Sequence, residues 1–233
     1  MWARRIIWAM VWGLLWASCQ SSSTADQAPT VTADTLTLTL EPNDSLLEPT
    51  IEPGRNSWQR PFIVLDYLGN INDKTVADIG AGSGYFTIRL PSRGAKVLAL
   101  DIDGQALRTI DEIIHLSNYP AKFRQKIEMR LVPDDDPQLA ENEIDAALII
   151  NTIAFLPNRL SYLRKLHTAI KPNGQILIVD YKMNRIPLDI PRSERVAAYL
   201  IEEELEKTGF TNISVEECQL DYQYMIKATC NKS

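Results

Sequence analysis

Short β-rich runs alternate with segments of helical pattern over most of this chain, and this alternation restricts the fold more than any other feature. Each run is separated from the next by about the length of one helix. The runs lie at residues 76–79, 96–100, 127–132, 145–151 and 175–180. Strands separated by helices form crossover units, in which the strands run parallel. The sequence therefore predicts an α/β fold with a mostly parallel sheet.

Two further β-rich runs follow near the end of the chain, at residues 212–217 and 222–229. Only a few residues separate them, whereas a parallel return needs about a dozen or more, so these two strands form an antiparallel hairpin. The complete prediction is a Rossmann-like, doubly wound sheet of seven strands, mostly parallel, with a C-terminal antiparallel hairpin. Between the fourth and fifth runs, an apolar stripe on one helix face predicts a buried helix that ends at residues 171–174.

Length and charge limit the classes of function. With 233 residues, of which 45% are hydrophobic, the chain can bury one core of a single domain. Its net charge of -6, with no run of lysines or arginines, provides no basic surface for phosphate backbones, which excludes nucleic acid as the expected partner. The three cysteines lack paired spacing, so the sequence predicts no metal site.

The first 19 residues have the pattern of an export signal. Arg4 and Arg5 precede an apolar stretch at residues 6–16, and small residues then lead to Cys19. The stretch is shorter than the roughly 20 residues that cross a bilayer, so a transmembrane helix is the weaker interpretation. The end of this leader resembles a bacterial lipoprotein box, which implies a lipid on Cys19 and a membrane-anchored protein in the bacterial cell envelope. The alternative location is the cytoplasmic face of the inner membrane.

A segment rich in Ser, Thr, Asp and Pro follows the leader. Residues 20–55 show no helical period and predict a flexible tether. The domain organisation is therefore a leader at residues 1–19, a tether at residues 20–55 and one folded domain at residues 56–233.

The first predicted strand leads directly into a glycine-rich turn, which precedes a predicted helix. Gly80, Gly82 and Gly84 lack Cβ atoms, so the backbone can bend tightly there and contact a ligand. Dinucleotides and S-adenosylmethionine are two ligand classes that use a turn of this kind. The dinucleotide fingerprint needs a third glycine at the position that Tyr85 occupies here, which disfavours an NAD-dependent oxidoreductase.

An acidic residue lies at the end of the second predicted strand. A carboxylate at the position of Asp101 can accept hydrogen bonds from both hydroxyls of a ribose. Asp103 is predicted to cap the N-terminus of the next helix instead. The order of strand, glycine turn, helix, strand and acid predicts a site for a nucleoside-bearing ligand.

With these motifs, the chain from residue 58 to residue 227 resembles the class I S-adenosylmethionine-dependent methyltransferases, and within them a group of bacterial members. The matching segments are WQRP at residues 58–61, VADIGAGSGYFTIRL at 76–90, DDPQL at 135–139, IDAALIIN at 144–151, KPNGQILIVDYK at 171–182 and LDYQY at 220–224. The sheet of that family has seven strands and ends in an antiparallel hairpin. The resemblance implies S-adenosyl-L-methionine as the cofactor and a small molecule as the methyl acceptor.

The resemblance also assigns roles in the cofactor site. It places the methionine part against the glycine turn, the ribose at Asp101, the adenine amino group at Asp135 and the methyl donor in front of Asn151. The full set of predicted cofactor-binding residues is Asp78, Gly80, Gly82, Gly84, Tyr85, Asp101, Ile102, Asp135 and Asn151.

One departure from the family concerns catalysis. Related members often carry a Tyr-His-His-like segment after the fourth strand, but Ile153, Ala154 and Phe155 stand there in this chain. No histidine is therefore available there to act as a base, and the sequence identifies no catalytic residue, although alignment of the acceptor with the sulfonium supplies much of the rate on its own. A second hypothesis is an envelope-anchored binding protein that retains the fold without methyl transfer activity.

Overall fold

The computed structural model of this protein describes residues 54–116 and 118–232, without the side chain of Leu116. The predicted leader, Cys19 and nearly all of the predicted tether lie outside the described residues. Within the described ranges, no helix combines the length and the apolar character needed to cross a bilayer.

The helices and strands alternate as the sequence predicts. The α-helices are α1 (Arg55–Gln59), α2 (Pro61–Leu68), α3 (Gly104–Leu116), α4 (Ala121–Arg124), α5 (Arg159–Ala169) and α6 (Ala198–Lys207). The strands are β1 (Thr75–Ile79), β2 (Lys96–Asp101), β3 (Ile127–Leu131), β4 (Ile144–Ile150), β5 (Ile170–Tyr181), β6 (Phe210–Glu216) and β7 (Gln223–Cys230). Short 3-10 helices occupy Leu90–Arg93, Ile153–Phe155 and Arg192–Glu194.

The seven strands form a single sheet in the order β3-β2-β1-β4-β5-β7-β6. Strands β1 to β5 pair in parallel, and β7 pairs antiparallel with both β5 and β6. The predicted seven-stranded Rossmann-like sheet with its C-terminal hairpin is therefore confirmed. From β1 to β3 the chain adds strands on one side of β1, and from β4 onward it adds them on the other side. In open α/β sheets, ligands bind at the carboxyl ends of the strands where this change of side occurs, which is here between β1 and β4.

Both faces of the sheet are covered. On one face, Leu163 and Leu166 of α5 pack with Ile201 of α6 in a buried apolar cluster. On the other face, Leu65 of α2 and Phe86, which follows the glycine turn, belong to a second cluster. This layering leaves the ends of the strands as the place where polar side chains can meet a ligand.

The predicted helix after the glycine turn is not a regular α-helix. Residues 85–89 form turns and lead into the 3-10 helix at Leu90–Arg93. The main-chain carbonyl of Tyr85 accepts a hydrogen bond from Arg89 Nη1 at 2.6 Å, and the main-chain N–H of Arg89 donates to Phe86 instead. Pro91 has no N–H to continue a helical ladder. A side-chain bond and a proline therefore prevent the helix.

The fifth strand begins earlier than the sequence predicts. It starts at Ile170, directly after α5, and its pairing with β4 shifts register between Ile144 and Ala146. Asn173 adopts a positive φ of 63° within this irregular stretch. The predicted helix exit at residues 171–174 is thus a strand irregularity, and the helix ends at Ala169.

Candidate functional site

The glycine turn after β1 is held against the end of β2. The main-chain N–H groups of Gly80 and Ala81 both donate to the carbonyl of Leu100, at 2.8 and 3.1 Å. A Cβ on Gly80 would lie 2.5 Å from the side chain of Thr152, whereas a Cβ on Gly82 would meet no described atom within 4 Å. Gly80 therefore permits close packing of the chain, and Gly82 lies beside open space.

Asp101 faces this turn from the tip of β2. Its Oδ2 accepts a hydrogen bond from the main-chain N–H of Gly82 at 2.7 Å, and its Oδ1 accepts one from the N–H of Asp103 at 2.8 Å. Each carboxylate oxygen has two lone pairs, so both oxygens can accept a further hydrogen bond from a ligand. Asp103 Oδ1 in turn accepts from Gln105 N at 2.8 Å, which places it as the predicted cap of α3.

Two cavities adjoin the turn, and Gly80 lines both of them. The first, which we call the polar cavity, has a volume of about 200 Å³ and is lined by Arg55, Asp78, Gly80, Ala81, Gly82, Ser83, Tyr85, Phe86, Ile150 and Asn151. The second, the apolar cavity, has a volume of about 70 Å³ and is lined by Ile79, Gly80, Leu100, Asp101, Ile102, Val132, Pro133, Asp134, Thr152, Phe155, Leu156 and Tyr162. Seven of the nine predicted cofactor-binding residues line these cavities. The other two, Gly84 in the same turn and Asp135, line neither.

The polar cavity contains a buried carboxyl group. Asp78 accepts a hydrogen bond from Thr87 Oγ1 at 2.6 Å. Burial raises the pKa of Asp78 to about 6, and the hydrogen bond from Thr87 and the positive charge of Arg55 partly oppose this rise. A second cation near Asp78 would favour its charged form.

The apolar cavity is flanked by exposed hydrophobic side chains. Ile102 is 65% exposed and Phe155 is 61% exposed, although both line the cavity. Apolar side chains beside a carboxylate suit a flat ring that carries a hydroxylated sugar.

Asp134 lines the apolar cavity, whereas Asp135 lines neither cavity. Lys165 on α5 explains the difference, because its Nζ binds the main-chain carbonyl of Asp135 at 2.8 Å and the carboxylate of Asp136 at 2.9 Å. These bonds hold the segment against α5. The structure thus places Asp134, one residue before the predicted adenine-binding position, at the cavity.

Three side-chain amides form a closed ring of hydrogen bonds behind the polar cavity. Asn151 Nδ2 donates to Gln59 Oε1 at 3.4 Å, Gln59 Nε2 donates to Gln223 Oε1 at 2.6 Å, and Gln223 Nε2 donates to Asn151 Oδ1. Gln59 and Gln223 are fully buried, and Asn151 has a positive φ of 57°. This carboxamide ring connects α1, the end of β4 and the start of β7.

The sequence analysis predicted Asn151 as a site residue but did not include its two glutamine partners in the site. Gln59 and Gln223 both lie within the segments WQRP and LDYQY, which carried the family resemblance. For Gln223, the available signal was a glutamine directly before the apolar run of Tyr224, Met225 and Ile226.

Tyr85 is packed between the turn and α1. Its ring centroid lies 4.1 Å from Cζ of Arg55 and 4.0 Å from Cζ of Arg89, and its hydroxyl donates to Asn56 Oδ1. The sequence analysis placed Arg55 at the end of the tether and did not include it in the site.

Asp180 is a second buried carboxyl group, near the end of β5. Its side chain is 1% exposed, and its Oδ1 accepts a hydrogen bond from the N–H of Tyr181 at 2.6 Å. Its Oδ2 has no hydrogen-bond partner among the residues that the structure describes. Burial raises the pKa of Asp180 to about 7. It lines neither cavity.

Part of the chain is similar to known methyltransferases. Residues 77–176 match a family described as a methyltransferase domain. A ubiquinone biosynthesis O-methyltransferase from Pseudomonas paraeruginosa is 25% identical over 134 residues, which are 58% of this chain and 53% of the relative. The homologue from Pseudomonas syringae is 25% identical over 135 residues with the same coverage. The chain thus spans about half the length of these curated relatives.

Solved structures show the same fold. A S-adenosylmethionine-dependent methyltransferase from Aquifex aeolicus has a TM-score of 0.68 at 22% identity, and the match covers 80% of this chain and 97% of that one. A phosphoethanolamine N-methyltransferase from Haemonchus contortus, solved with S-adenosyl-L-methionine, has a TM-score of 0.62 at 16% identity and 75% and 53% coverage. A protein from Bordetella parapertussis, described as a possible exported protein, has a TM-score of 0.60 at 16% identity and 75% and 68% coverage.

Proposed function

We propose that this chain is a S-adenosylmethionine-dependent methyltransferase that transfers a methyl group to a small-molecule acceptor. The observation that carries the proposal is the pair of cavities that adjoin at Gly80, with the carboxylate of Asp101 directed at the glycine turn between them. The matched methyltransferase domain begins within β1, at residue 77, and includes this turn and the whole of β2. The comparisons give no support to a binding protein without catalytic activity.

The residues around the two cavities fit the parts of this cofactor. Asp101 has acceptor capacity left for ribose hydroxyls, and Ile102 and Phe155 offer apolar surface to the adenine ring. The open space beside Gly82 leaves room for a ligand against the main chain, and Asp78 provides a carboxyl group for the ammonium of the methionine part.

When bound, this cofactor would supply a methyl group on a positively charged sulfur for transfer to a lone pair of the acceptor, with the neutral thioether S-adenosylhomocysteine as the leaving group. The amide groups of the carboxamide ring carry no titratable proton, so Asn151, Gln59 and Gln223 can orient an acceptor but cannot act as its acid or base. With the carboxyl group of Asp78 assigned to the ammonium of the methionine part, we expect the acceptor to carry a nucleophile that is already reactive near neutral pH, or to lose its proton to solvent.

The test is binding followed by transfer. Calorimetry with S-adenosylhomocysteine should show one site per chain, and Asp101→Ala should weaken it. Incubation with S-adenosylmethionine that carries a labelled methyl group, together with fractionated small molecules and lipids of a bacterial cell, should then label one fraction. Absence of any binding at millimolar ligand would contradict the proposal.

We also propose that the protein is anchored at the bacterial cell envelope through Cys19. The charged start, short apolar stretch and terminal cysteine of the leader support this location, as does the description of the Bordetella parapertussis neighbour. Mass spectrometry of the protein from its native membrane should find a diacylglycerol adduct on an N-terminal Cys19. A Cys19→Ser variant should lack the adduct, and an intact N-terminus at Met1 in the mature protein would refute the proposal.

A further inference from the structure

We propose that the end of the domain with the two cavities docks onto the surface of a phospholipid bilayer. The contact is made by an apolar rim, which we define as Phe62, Tyr199, Leu200 and Val215. This inference rests on the proposed anchoring through Cys19 and deepens it, because it states which end of the domain faces the lipid.

The exposed apolar side chains are concentrated at one end of the domain. Among the residues that the structure describes, the large apolar side chains that are exposed are Phe62, Ile102, Leu131, Phe155, Tyr199, Leu200 and Val215. All of them lie at the carboxyl end of the sheet, where the cavities are. Single exposed apolar residues are ordinary on a folded domain, whereas their grouping at one end marks an interaction surface.

Three of these side chains lie on the β3 side of that end. Ile102 directly follows β2, Leu131 is the last residue of β3, and Phe155 ends the 3-10 helix after β4. Ile102 and Phe155 line the apolar cavity, where the adenine ring is proposed to lie. The four residues of the rim line neither cavity, so the cofactor leaves them uncovered.

The topology places the rim at the same end. Strand β6 runs parallel to β5, because both pair antiparallel with β7, so Val215 near the end of β6 lies at the carboxyl end. A short connection joins the end of α6 to the start of β6, so Tyr199 and Leu200 at the other end of α6 lie there too. Phe62 is the second residue of α2, whose far end leads to the start of β1.

Hydrogen bonds join the segments that carry the rim. Near the start of α2, Arg60 donates to the main-chain carbonyl of Gln219 at 2.9 Å and pairs with Asp221 at 2.9 Å, both in the connection between β6 and β7. Lys182, directly after β5, donates to the main-chain carbonyl of Leu220 in that connection at 2.7 Å. The rim is therefore presented by segments fixed to one another, which reduces the entropy lost on binding.

The point where the chain enters the described domain identifies the bilayer as the occupant. Residues 1–53 precede the domain and include the leader with Cys19. Arg55, near the start of the described residues, lines the polar cavity, so the chain enters at the same end as the rim. A lipid on Cys19 makes the contact between rim and bilayer intramolecular, so a few apolar side chains suffice for it.

The charges beside the rim indicate how the bilayer is bound. The connection between β5 and α6 exposes Arg185 and Arg192, but it also exposes Asp189 and Glu194. Because exposed charges of both signs are present in equal number, attraction to anionic lipid is not the main contribution. Insertion of the apolar side chains drives the contact, with the hydroxyl of Tyr199 at the level of the head groups.

The experiment measures contact between the rim and the lipid in the 233-residue chain. A genetically encoded fluorescent amino acid replaces Tyr199 in one protein and Lys96, which is exposed at the start of β2 and thus at the opposite end, in another. Each protein is reconstituted on vesicles of dioleoylphosphatidylcholine, with and without acyl-chain bromination, which quenches a fluorophore on contact. Bromination should lower the emission at position 199 and leave the emission at position 96 unchanged.

Two further changes complete the design. Leu200→Ser combined with Val215→Ser removes two apolar side chains of the rim and should abolish most of the quenching at position 199. Glu206→Ser, at an exposed position near the other end of α6, is the matched control and should leave the quenching as it was. Addition of anionic phosphatidylglycerol to the vesicles should change the quenching little, because apolar insertion drives the contact.

The other outcomes separate the docking from the proposals on which it depends. A chain that floats with the vesicles but shows no quenching at position 199, or equal quenching at positions 199 and 96, would overturn the docking and leave the anchor intact. A chain that does not float would contradict both the anchor and the docking. Quenching that appears only with anionic lipid would overturn insertion of the rim. Calorimetry of the same chain with S-adenosylhomocysteine tests the proposed methyl transfer separately.

Discussion

The carboxylate of Asp101 accepts a hydrogen bond from the main-chain N–H of Gly82 at 2.7 Å. This bond joins the tip of β2 to the middle of the glycine turn, and the N–H of Asp103 donates to the other carboxylate oxygen. One side chain therefore shapes the turn and offers acceptors at the cavity. We therefore expect its replacement to affect both the structure of the turn and the affinity for the proposed cofactor.

The first prediction separates these roles by comparing two neighbouring aspartates. Asp101→Ala should weaken S-adenosylhomocysteine by about 10- to 100-fold, because hydrogen bonds to a charged acceptor are lost. Asp103→Ala removes only the cap of α3, so it should lower the free energy of unfolding by about 1 kcal/mol and leave the affinity unchanged. Calorimetry and urea unfolding measure the two quantities. Equal affinity losses in both variants would contradict a direct role for Asp101.

The second prediction concerns the packing of the glycine turn. Gly80→Ala would place a Cβ 2.5 Å from the Thr152 side chain, whereas the Cβ of Gly82→Ala would meet no described atom within 4 Å. Both residues have positive φ, so both variants carry backbone strain of about 1 kcal/mol. Gly80→Ala should cost about 1–3 kcal/mol more than Gly82→Ala in the free energy of unfolding, because the chain must also shift.

A double variant identifies the cause of that extra cost. Thr152→Ala removes the two atoms that the new Cβ would meet most closely. Gly80→Ala combined with Thr152→Ala should therefore be more stable than the sum of the single losses predicts, since residues in contact do not act additively. Strict additivity in urea unfolding would show that backbone strain, and not the contact, dominates at Gly80.

The third prediction concerns the carboxamide ring. Gln223→Ala removes one donor and one acceptor, so the buried Gln59 loses the partner of its amide N–H and the half-buried Asn151 loses the partner of its amide oxygen. The free energy of unfolding should fall by about 1–3 kcal/mol, the cost of leaving a buried polar group without a partner. Gln219→Ala, at an exposed position in the same hairpin connection, is the matched control and should change stability by less than about 0.5 kcal/mol.

The fold could be predicted from the sequence because strand and helix periods are local signals. The hairpin followed from the few residues between two β-rich runs, and the turn at Gly80 and Gly82 followed from its glycines. The predicted helix after the turn failed because the Arg89 side chain takes the carbonyl of Tyr85, a contact that no propensity describes.

The rest of the site depends on contacts between distant parts of the chain. Gln59 and Gln223 are 164 positions apart, and each is an unremarkable polar residue until the sheet brings them together. Arg55 stands at the end of a polar segment, and only the packing of α1 against Tyr85 brings it to the cavity. The position of Asp134 ahead of Asp135 is set by Lys165, about 30 residues away on α5.

The fourth prediction concerns the dependence of stability on pH through Asp180. Burial raises its pKa from 3.8 to about 7 in the folded protein. Between these values the folded state holds the proton and the unfolded state has lost it, so the free energy of unfolding falls as pH rises from about 4 to 7. A difference of about 3 in pKa corresponds to about 4 kcal/mol at most.

Asp180→Asn cannot ionise, so it should be more stable than wild type by about 2–4 kcal/mol at pH 8 and should lose this advantage near pH 4. This gain in the free energy of unfolding stays below the upper limit set by the pKa difference, because the asparagine amide still lacks a hydrogen-bond partner at the position of Oδ2. The free energy of unfolding is measured as a function of pH for both proteins, and the difference between them gives the contribution of Asp180 alone, since Asp78 titrates in both. Asp189→Asn, at an exposed position, should show no such dependence. A wild-type stability that rises from pH 4 to 7 relative to Asp180→Asn would show that the carboxyl group is ionised and stabilised by a partner.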